Sequence, residues 1–334
     1  MKKLLFLAVS IFVIVVISAC GQKSQEDVVQ SLNKKMEAMK SYKAHAKMTL
    51  KMGEDPQVYD VEIWYKSPDF YRVQLKNEKK EQNQMILRNK DGVYVLTPAL
   101  NKSFHFESDW PKNGSQAYLY ESLVKDIMED KNATFKATEN QYVFETKTRY
   151  QNSKMLPFQE VILNKKDLAP VSVKIKDPDH NVLVTVDFSD VTFNPTIEDK
   201  EFDMKTNMTG AQVEIETLAD VDKEEFSLKY PAEIEGIDLV DQEEIVTDSG
   251  QRYILTYEGD RSFTMIAERT KIVETFAATS VLGDLVDLGF TVGAITDYSI
   301  SWTFEGVDYT IASQNLSREE MEEIARSVYA PSVK

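Results

Sequence analysis

The chain has 334 residues, 42% hydrophobic and 28% charged, with a formal net charge of −16 at pH 7 and a single cysteine. Those proportions are ordinary for a globular protein, and the scarcity of glycine (12) and proline (10) excludes a linker-rich or disordered chain. The excess of acid excludes nucleic acid and anionic head groups as partners held by charge, and a lone cysteine excludes an internal disulfide.

Residues 1–19 read as an export signal. Lys2 and Lys3 precede an apolar or small run from Leu4 to Ala19, and Ile17-Ser18-Ala19-Cys20 ends it with small residues. The run falls short of the ~20 apolar residues that a membrane span needs. The spacing resembles the lipobox of bacterial lipoproteins. That resemblance implies cleavage before Cys20 and a diacylglyceryl group on its thiol, with the chain held on the extracytoplasmic face of the cell membrane. Two acyl chains anchor stably where one does not, and an acidic chain has no electrostatic hold on lipid. Residues 20–26 are polar and are expected to form a lipidated tether.

Residues 27–40 carry Val28, Val29, Leu32, Met36 and Met39 at spacings of mostly three and four, which predicts an amphipathic helix. The period then becomes two. Ala44, Ala46, Met48, Leu50 and Met52 alternate with polar residues, as do Tyr59, Val61, Ile63 and Tyr65, and then Tyr71, Val73 and Leu75. Strands are predicted at 84–89, 92–97 and 102–106. A second helix is predicted at 115–129, with Tyr118, Leu119, Leu123, Ile127 and Met128 on its apolar side. Strands resume at 141–148, 158–164, 171–176 and 182–188. So many alternating strands imply a large antiparallel sheet. With only two helices to cover it, the sheet must curl, and a curled sheet under a helical lid encloses an apolar hollow.

A boundary is expected near 209–224, where the alternation is interrupted. The fold class read from the chain is α+β. Residues 27–208 form a curled antiparallel half-barrel with a helical lid, and residues 220–334 a smaller C-terminal α+β domain. In the latter, Tyr298–Phe304 and Val307–Ala312 form a hairpin through Glu305-Gly306. Ser317 with Glu320 forms a capping box that opens the last helix.

Little in the chain suggests catalysis, and no catalytic residue, metal or cofactor is assigned. His45, His105 and His180 lack metal-ligand spacing, and no nucleophile elbow or phosphate loop occurs. Asp177-Pro178-Asp179-His180-Asn181 reads as a turn between strands. Glu319, Glu320, Glu322 and Glu323 read as a solvated face that suits the start of a helix. Met48, Met52, Met85, Met128 and Met155 read either as core filling or as an adaptable apolar lining. The residues expected to line the hollow are Met48, Leu50, Ile63, Tyr65, Tyr71, Val73, Leu123 and Ile127. Which sheet face points inward is left open.

Several short motifs carry a resemblance over residues 27–208. They are Tyr65-Lys66-Ser67-Pro68-Asp69-Phe70-Tyr71-Arg72, Asp91-Gly92-Val93-Tyr94-Val95-Leu96-Thr97-Pro98, and Phe193-Asn194-Pro195-Thr196-Ile197 with Phe202. In order and spacing they resemble the LolA-like lipoprotein-carrier superfamily. Tyr230-Pro231, Ile254–Gly259 and the Trp302 hairpin resemble the extra domain of YdcC-type sporulation lipoproteins of endospore-forming bacteria. The two-part layout is similar to that of the RseB-type sigma-factor regulators. The resemblance implies a non-enzymatic, extracytoplasmic protein linked to sporulation. A true carrier crosses the periplasm in soluble form, whereas an anchored chain does not. Two functions are expected in turn. In the first, the hollow binds a lipid, an acyl chain or another apolar ligand. In the alternative, the sheet is a filled scaffold that docks an envelope protein, such as a sigma-factor regulator or a cell-wall amidase.

Overall fold

Ser24 opens the first helix, α1 (Gln25–Ala38), through a reciprocal cap. Its Oγ accepts from Asp27 N at 3.2 Å, and its own N–H donates to Asp27 Oδ2 at 3.2 Å. The computed structural model describes residues 23–51, 56–77, 83–107, 109–112, 114–150, 155–208, 228–247, 250–269, 278–281, 283–288 and 291–329. Cys20, Met52 and the boundary expected at 209–224 lie outside these residues. The tether expected to run through Glu26 is corrected by this cap, since the chain is already helical at Gln25. Val28 and Leu32, one turn apart, are fully buried. Such burial stabilises by about 1.5–3 kcal/mol for each side chain.

The first sheet is built from β1 (Ser41–Leu50), β2 (Gln57–Lys66), β3 (Phe70–Asn77), β4 (Asn83–Asn89), β5 (Gly92–Thr97) and β6 (Lys102–Phe106). After the helix α2 (Tyr120–Glu129) it continues with β7 (Thr134–Ala137), β8 (Gln141–Lys147), β9 (Phe158–Asn164), β10 (Pro170–Lys176) and β11 (Val182–Phe193). The spatial order is β6-β5-β4-β3-β2-β1-β11-β10-β9-β8-β7, antiparallel throughout. The chain thus closes on itself where β11 pairs with β1. Among the described residues the sheet stays open, because its outermost strands do not pair with each other.

Helix α2 is shorter than the period predicted. It starts at Tyr120, because the Ser122 hydroxyl accepts from Gln116 N (2.8 Å) and Leu119 N bonds Gln116 O (3.1 Å), which turns 116–119 out of the helical path. The helix packs on α1 and on β8. Val28, Leu32, Leu123, Val124 and Ile127 enter one apolar cluster with the inner residues of β1, β2 and β3.

The opposite face of the sheet is also covered. Leu87, Ile197 and Phe202 pack with Trp64, Phe70 and Tyr94, and Met85 and Leu96 pack with Met208. The three motifs noted in the sequence converge on this outer seam. Lys66 donates to Ile197 O (2.8 Å) and pairs with Asp199 (2.5 Å). Phe70 packs on Phe202 (5.5 Å between ring centres), and Asn89 Nδ2 donates to Phe202 O (3.0 Å). Asn194 takes a left-handed φ of 57°, accepts from Lys40 N at its side chain (2.8 Å) and donates its own N–H to Ser41 O (2.8 Å). Gly92 suits its place because its φ of 135° lies where L side chains rarely go, and a Cβ there would also crowd His105 Nε2 (2.4 Å) and Phe106 O (3.1 Å).

The second sheet has the order β12-β13-β14-β19-β18-β17-β16. Its strands are β12 (Ile237–Thr247), β13 (Gly250–Gly259), β14 (Phe263–Arg269), β16 (Asp284–Asp287), β17 (Val292–Ile295), β18 (Ser299–Phe304) and β19 (Val307–Ala312). The β18–β19 hairpin and the Ser317–Glu320 capping box of α3 (Arg318–Ser327) form as expected. One strand crosses over: β15 (Ala278–Ser280) adds to the first sheet, parallel to β6. Lys102–Asp308 (2.6 Å) and Gln84 with Val292 N (3.2 Å) also join the two sheets.

Candidate functional site

Period two and register together build the inner face. Tyr42 on β1 lies opposite Tyr65 on β2, which lies opposite Tyr71 on β3. The ring centres are 5.6 and 5.0 Å apart, and Trp110 extends the row 5.6 Å beyond Tyr71. From the lid, Tyr120 meets Tyr42 edge-on at 6.2 Å and Phe193 at 5.3 Å. Further along, Met48, Leu50, Ile63 and Val73 occupy the same face, and Leu123 and Ile127 reach it from α2. The structure brings all eight residues named from the sequence into one cluster, each no more than 8% exposed.

The methionines do not gather as a lining. Met48 is in that cluster and Met155 packs at its margin, but Met85 lies on the outer face and Met128 is 42% exposed. Strand alternation explains Met85, which is adjacent in sequence to the inward Ile86.

One carboxylate is set into the aromatic end. Glu121 Oε2 accepts from the Tyr42 hydroxyl (3.1 Å), which itself accepts from Tyr120 N (3.2 Å). Glu121 is half-buried as a residue, but its Oε1 is sealed from solvent without a hydrogen-bond partner, as is the Tyr120 hydroxyl. Desolvation pushes the Glu121 carboxyl up to about 8, against which its bonds to Tyr42 and to its own backbone pull only in part. Burial, and then the charge of Glu121, raise Tyr65 to about 12, and raise Tyr42, Tyr71 and Tyr120 as well. A raised carboxyl among tyrosines that hold their protons is a site for hydrogen bonding.

Two further acids are buried and paired. Asp126 accepts from Ser115 Oγ (2.8 Å) and Gln159 Nε2 (2.7 Å) and pairs with Arg149, which ties α2 to β9 and to the chain after β8. Burial raises its carboxyl, and Arg149 opposes that rise. Glu322 corrects the expectation of a solvated acidic face on the last helix. It is 3% exposed and pairs with Arg326 at 2.6 Å, and Arg326 also donates to Asp287 O. The Glu322–Arg326 spacing of four was visible in the sequence, but nothing there marked that face as covered.

The histidines have structural surroundings. His45 is exposed, His105 stacks on Tyr94 (4.6 Å between ring centres), and His180 stacks on Phe158 (4.8 Å) in a turn closed by Asp177 and Asn181. Among the described residues no group of three or more histidine, cysteine or acidic side chains could hold a metal. Likewise, none of the described helices is long and apolar enough to cross a membrane. Sequence reasoning missed Tyr42, Trp110, Tyr120 and Glu121. The available signal was the Tyr118-Leu119-Tyr120-Glu121 run, an acid embedded in aromatics at a helix start.

Comparison with known proteins places the chain. Among solved structures, MucB covers 92% of this chain and 98% of its own at 12% identity, with a TM-score of 0.37. A complex of the CwlD amidase with the GerS lipoprotein from Clostridioides difficile matches over 51% of this chain and 96% of the other, at 19% identity and a TM-score of 0.31. An outer membrane lipoprotein-sorting protein domain from Vibrio parahaemolyticus matches over 55% of this chain and 99% of its own, at 15% identity and a TM-score of 0.32. The sporulation protein YdcC of Bacillus subtilis (strain 168) is 49% identical over 334 residues, which is 100% of this chain and 98% of that one. The family model described as sporulation protein YdcC-like matches residues 1–202. With more than half of its length matched and a full-length relative at that identity, the chain belongs to the YdcC-like family of sporulation proteins.

Proposed function

We propose that the chain serves sporulation as a non-catalytic docking protein, held on the outer face of the cytoplasmic membrane by a diacylglyceryl group on Cys20. It would offer its surface, not a hollow, to an envelope protein. In this reading residues 27–208 are the sheet-and-lid domain and residues 220–334 the C-terminal domain. The sporulation link is supported by the full-length relative. The observation that carries the docking reading is the inner face itself. All eight residues expected to line a hollow are buried in one cluster, and the row Tyr42, Tyr65, Tyr71 and Trp110 fills its aromatic end ring against ring. A ligand-binding hollow needs several hundred Å³ of room. A face packed by its own side chains acts as a frame.

A second reading, an apolar ligand with a hydrogen-bond donor, draws on the sealed and unpartnered Glu121 Oε1 and Tyr120 hydroxyl. Native mass spectrometry of residues 24–334 purified from cells separates the two. Docking predicts a clean mass that phospholipid or acylated peptide leaves unchanged, and a stoichiometric lipid adduct would reverse the preference. Crosslinking of the intact chain in sporulating cells then tests docking directly, since it predicts a discrete protein adduct. Anchoring is tested by Cys20→Ala, which should move the chain from the membrane to the soluble fraction and abolish labelling by radioactive fatty acid.

A further inference from the structure

β12 is the outermost strand of the second sheet. It has 11 residues, and its nine central ones are exposed. It pairs with β13 on one side, and among the described residues no strand pairs with its other side. Long edge strands are commonly shortened or guarded by lysine or proline. This one, Ile237-Asp238-Leu239-Val240-Asp241-Gln242-Glu243-Glu244-Ile245-Val246-Thr247, contains no lysine, arginine or proline. Instead it exposes Leu239 (42%), Val240 (53%), Ile245 (40%) and Val246 (82%) among four carboxylates.

The register assigns the faces. Leu239 and Gln242 lie opposite Tyr257 and Leu255, the buried residues of β13, so they continue the core face outward. Glu243 and Ile245 lie opposite Ile254 and Arg252 on the other face. The pairing steps from Leu239 to Asp241, which leaves Val240 as a bulge. The strand thus presents a backbone edge together with apolar side chains and a single sign of charge.

We infer that the outer edge of β12 is a docking edge for an extended, basic segment of another protein, in which lysine or arginine alternates with apolar residues. The inference rests on the docking reading above and gives it a place and a chemistry. An added strand would satisfy the edge by main-chain hydrogen bonds, its cations standing across from Asp238, Asp241 and Glu243 on one face and its apolar residues across from Leu239 and Val246 on the other. A second copy of this chain is the wrong occupant, because it would set those carboxylates against their own kind.

The probe is a fluorescent peptide of about ten alternating lysines and valines, roughly the length of the edge. It is titrated against the intact chain in non-ionic detergent at about 0.15 M salt, where long-range charge effects are screened. The expected result is saturable binding together with slowed hydrogen exchange at 238–247. Methylating alternate backbone nitrogens of the peptide should weaken binding by about tenfold or more, as should the double substitution Asp241→Lys with Glu243→Lys. Both sites are exposed and outside the core. No binding would overturn the inference, as would equal binding of the methylated peptide, protection elsewhere, or a dimer whose 238–247 amides are already protected. Failure here is distinct from failure of docking itself, which the crosslinking in cells reads without this peptide.

Discussion

Glu121 and Glu322 are both acids that the fold takes out of water, with opposite consequences. Glu121 titrates near 8 in the folded protein against an ordinary 4.5. The folded state therefore binds its proton more tightly than the unfolded state, and this group's contribution declines as pH rises from 4.5 to 8. Glu121→Gln removes that slope. Urea unfolding should show the variant gaining on the parent across the window by an amount of the order of a few kcal/mol. Parallel stability profiles would refute the assignment. Glu322 is instead paired with Arg326 at 2.6 Å, both side chains buried. Glu322→Ala leaves a buried guanidinium without its carboxylate and should cost about 3–5 kcal/mol, whereas Glu322→Ala with Arg326→Met should recover much of it. If the single substitution costs under about 1 kcal/mol, the pair is not buried as described. Neither acid declares itself in the sequence. Glu121 reads as one polar position within the helix predicted over 115–129 and Glu322 as one of four acids flanking Met321, because burial is decided by elements far away in the chain.

At the scale of elements, local chemistry was most readable where one face is wet. The alternation in β1, β2 and β3, the 158–164 strand and the β18–β19 hairpin needed only period two, since each exposes one side and buries the other. The expected hollow-lining set is one cluster for the same reason. β12 escaped because both of its faces are exposed, so no alternation exists to read. β7 and β15 escaped through brevity, at four and three residues. The helix caps are equally local. Ser317→Ala should lower stability by about 1 kcal/mol through loss of the bond from Glu320 N. A melting temperature unchanged within error would mean that water replaces the cap. Asn194→Ala should cost a comparable amount or more, since it loses both the Lys40 bond and a residue that tolerates φ of 57°.

At the scale of the whole molecule, the sequence supplied the parts and the order but not their interlock. Composition changes near residue 209, so a reader of the chain separates two blocks there. The pairing of β15 with β6, the Lys102–Asp308 bridge and the Gln84 contacts ignore that division, because partners so distant in sequence leave no periodic trace. The structure accordingly predicts one cooperative unfolding transition. Calorimetry of residues 24–334 should give a calorimetric enthalpy equal to the van't Hoff value. Two separable transitions would show that these contacts are too weak to couple the sheets.

The β15–β6 pairing also sets a timetable. A chain that leaves the ribosome N-terminus first delivers β6 about 170 residues before the strand that covers it, and at ordinary synthesis rates of about 5–20 residues per second that is a wait of roughly ten seconds or more. β11 is complete about 85 residues before β15 begins, so for the second half of that wait the first sheet can stand paired from β6 to β7 with its β6 edge bare. Any factor that attends the nascent chain meets its most adhesive form then, before the last fifth of the chain has been made.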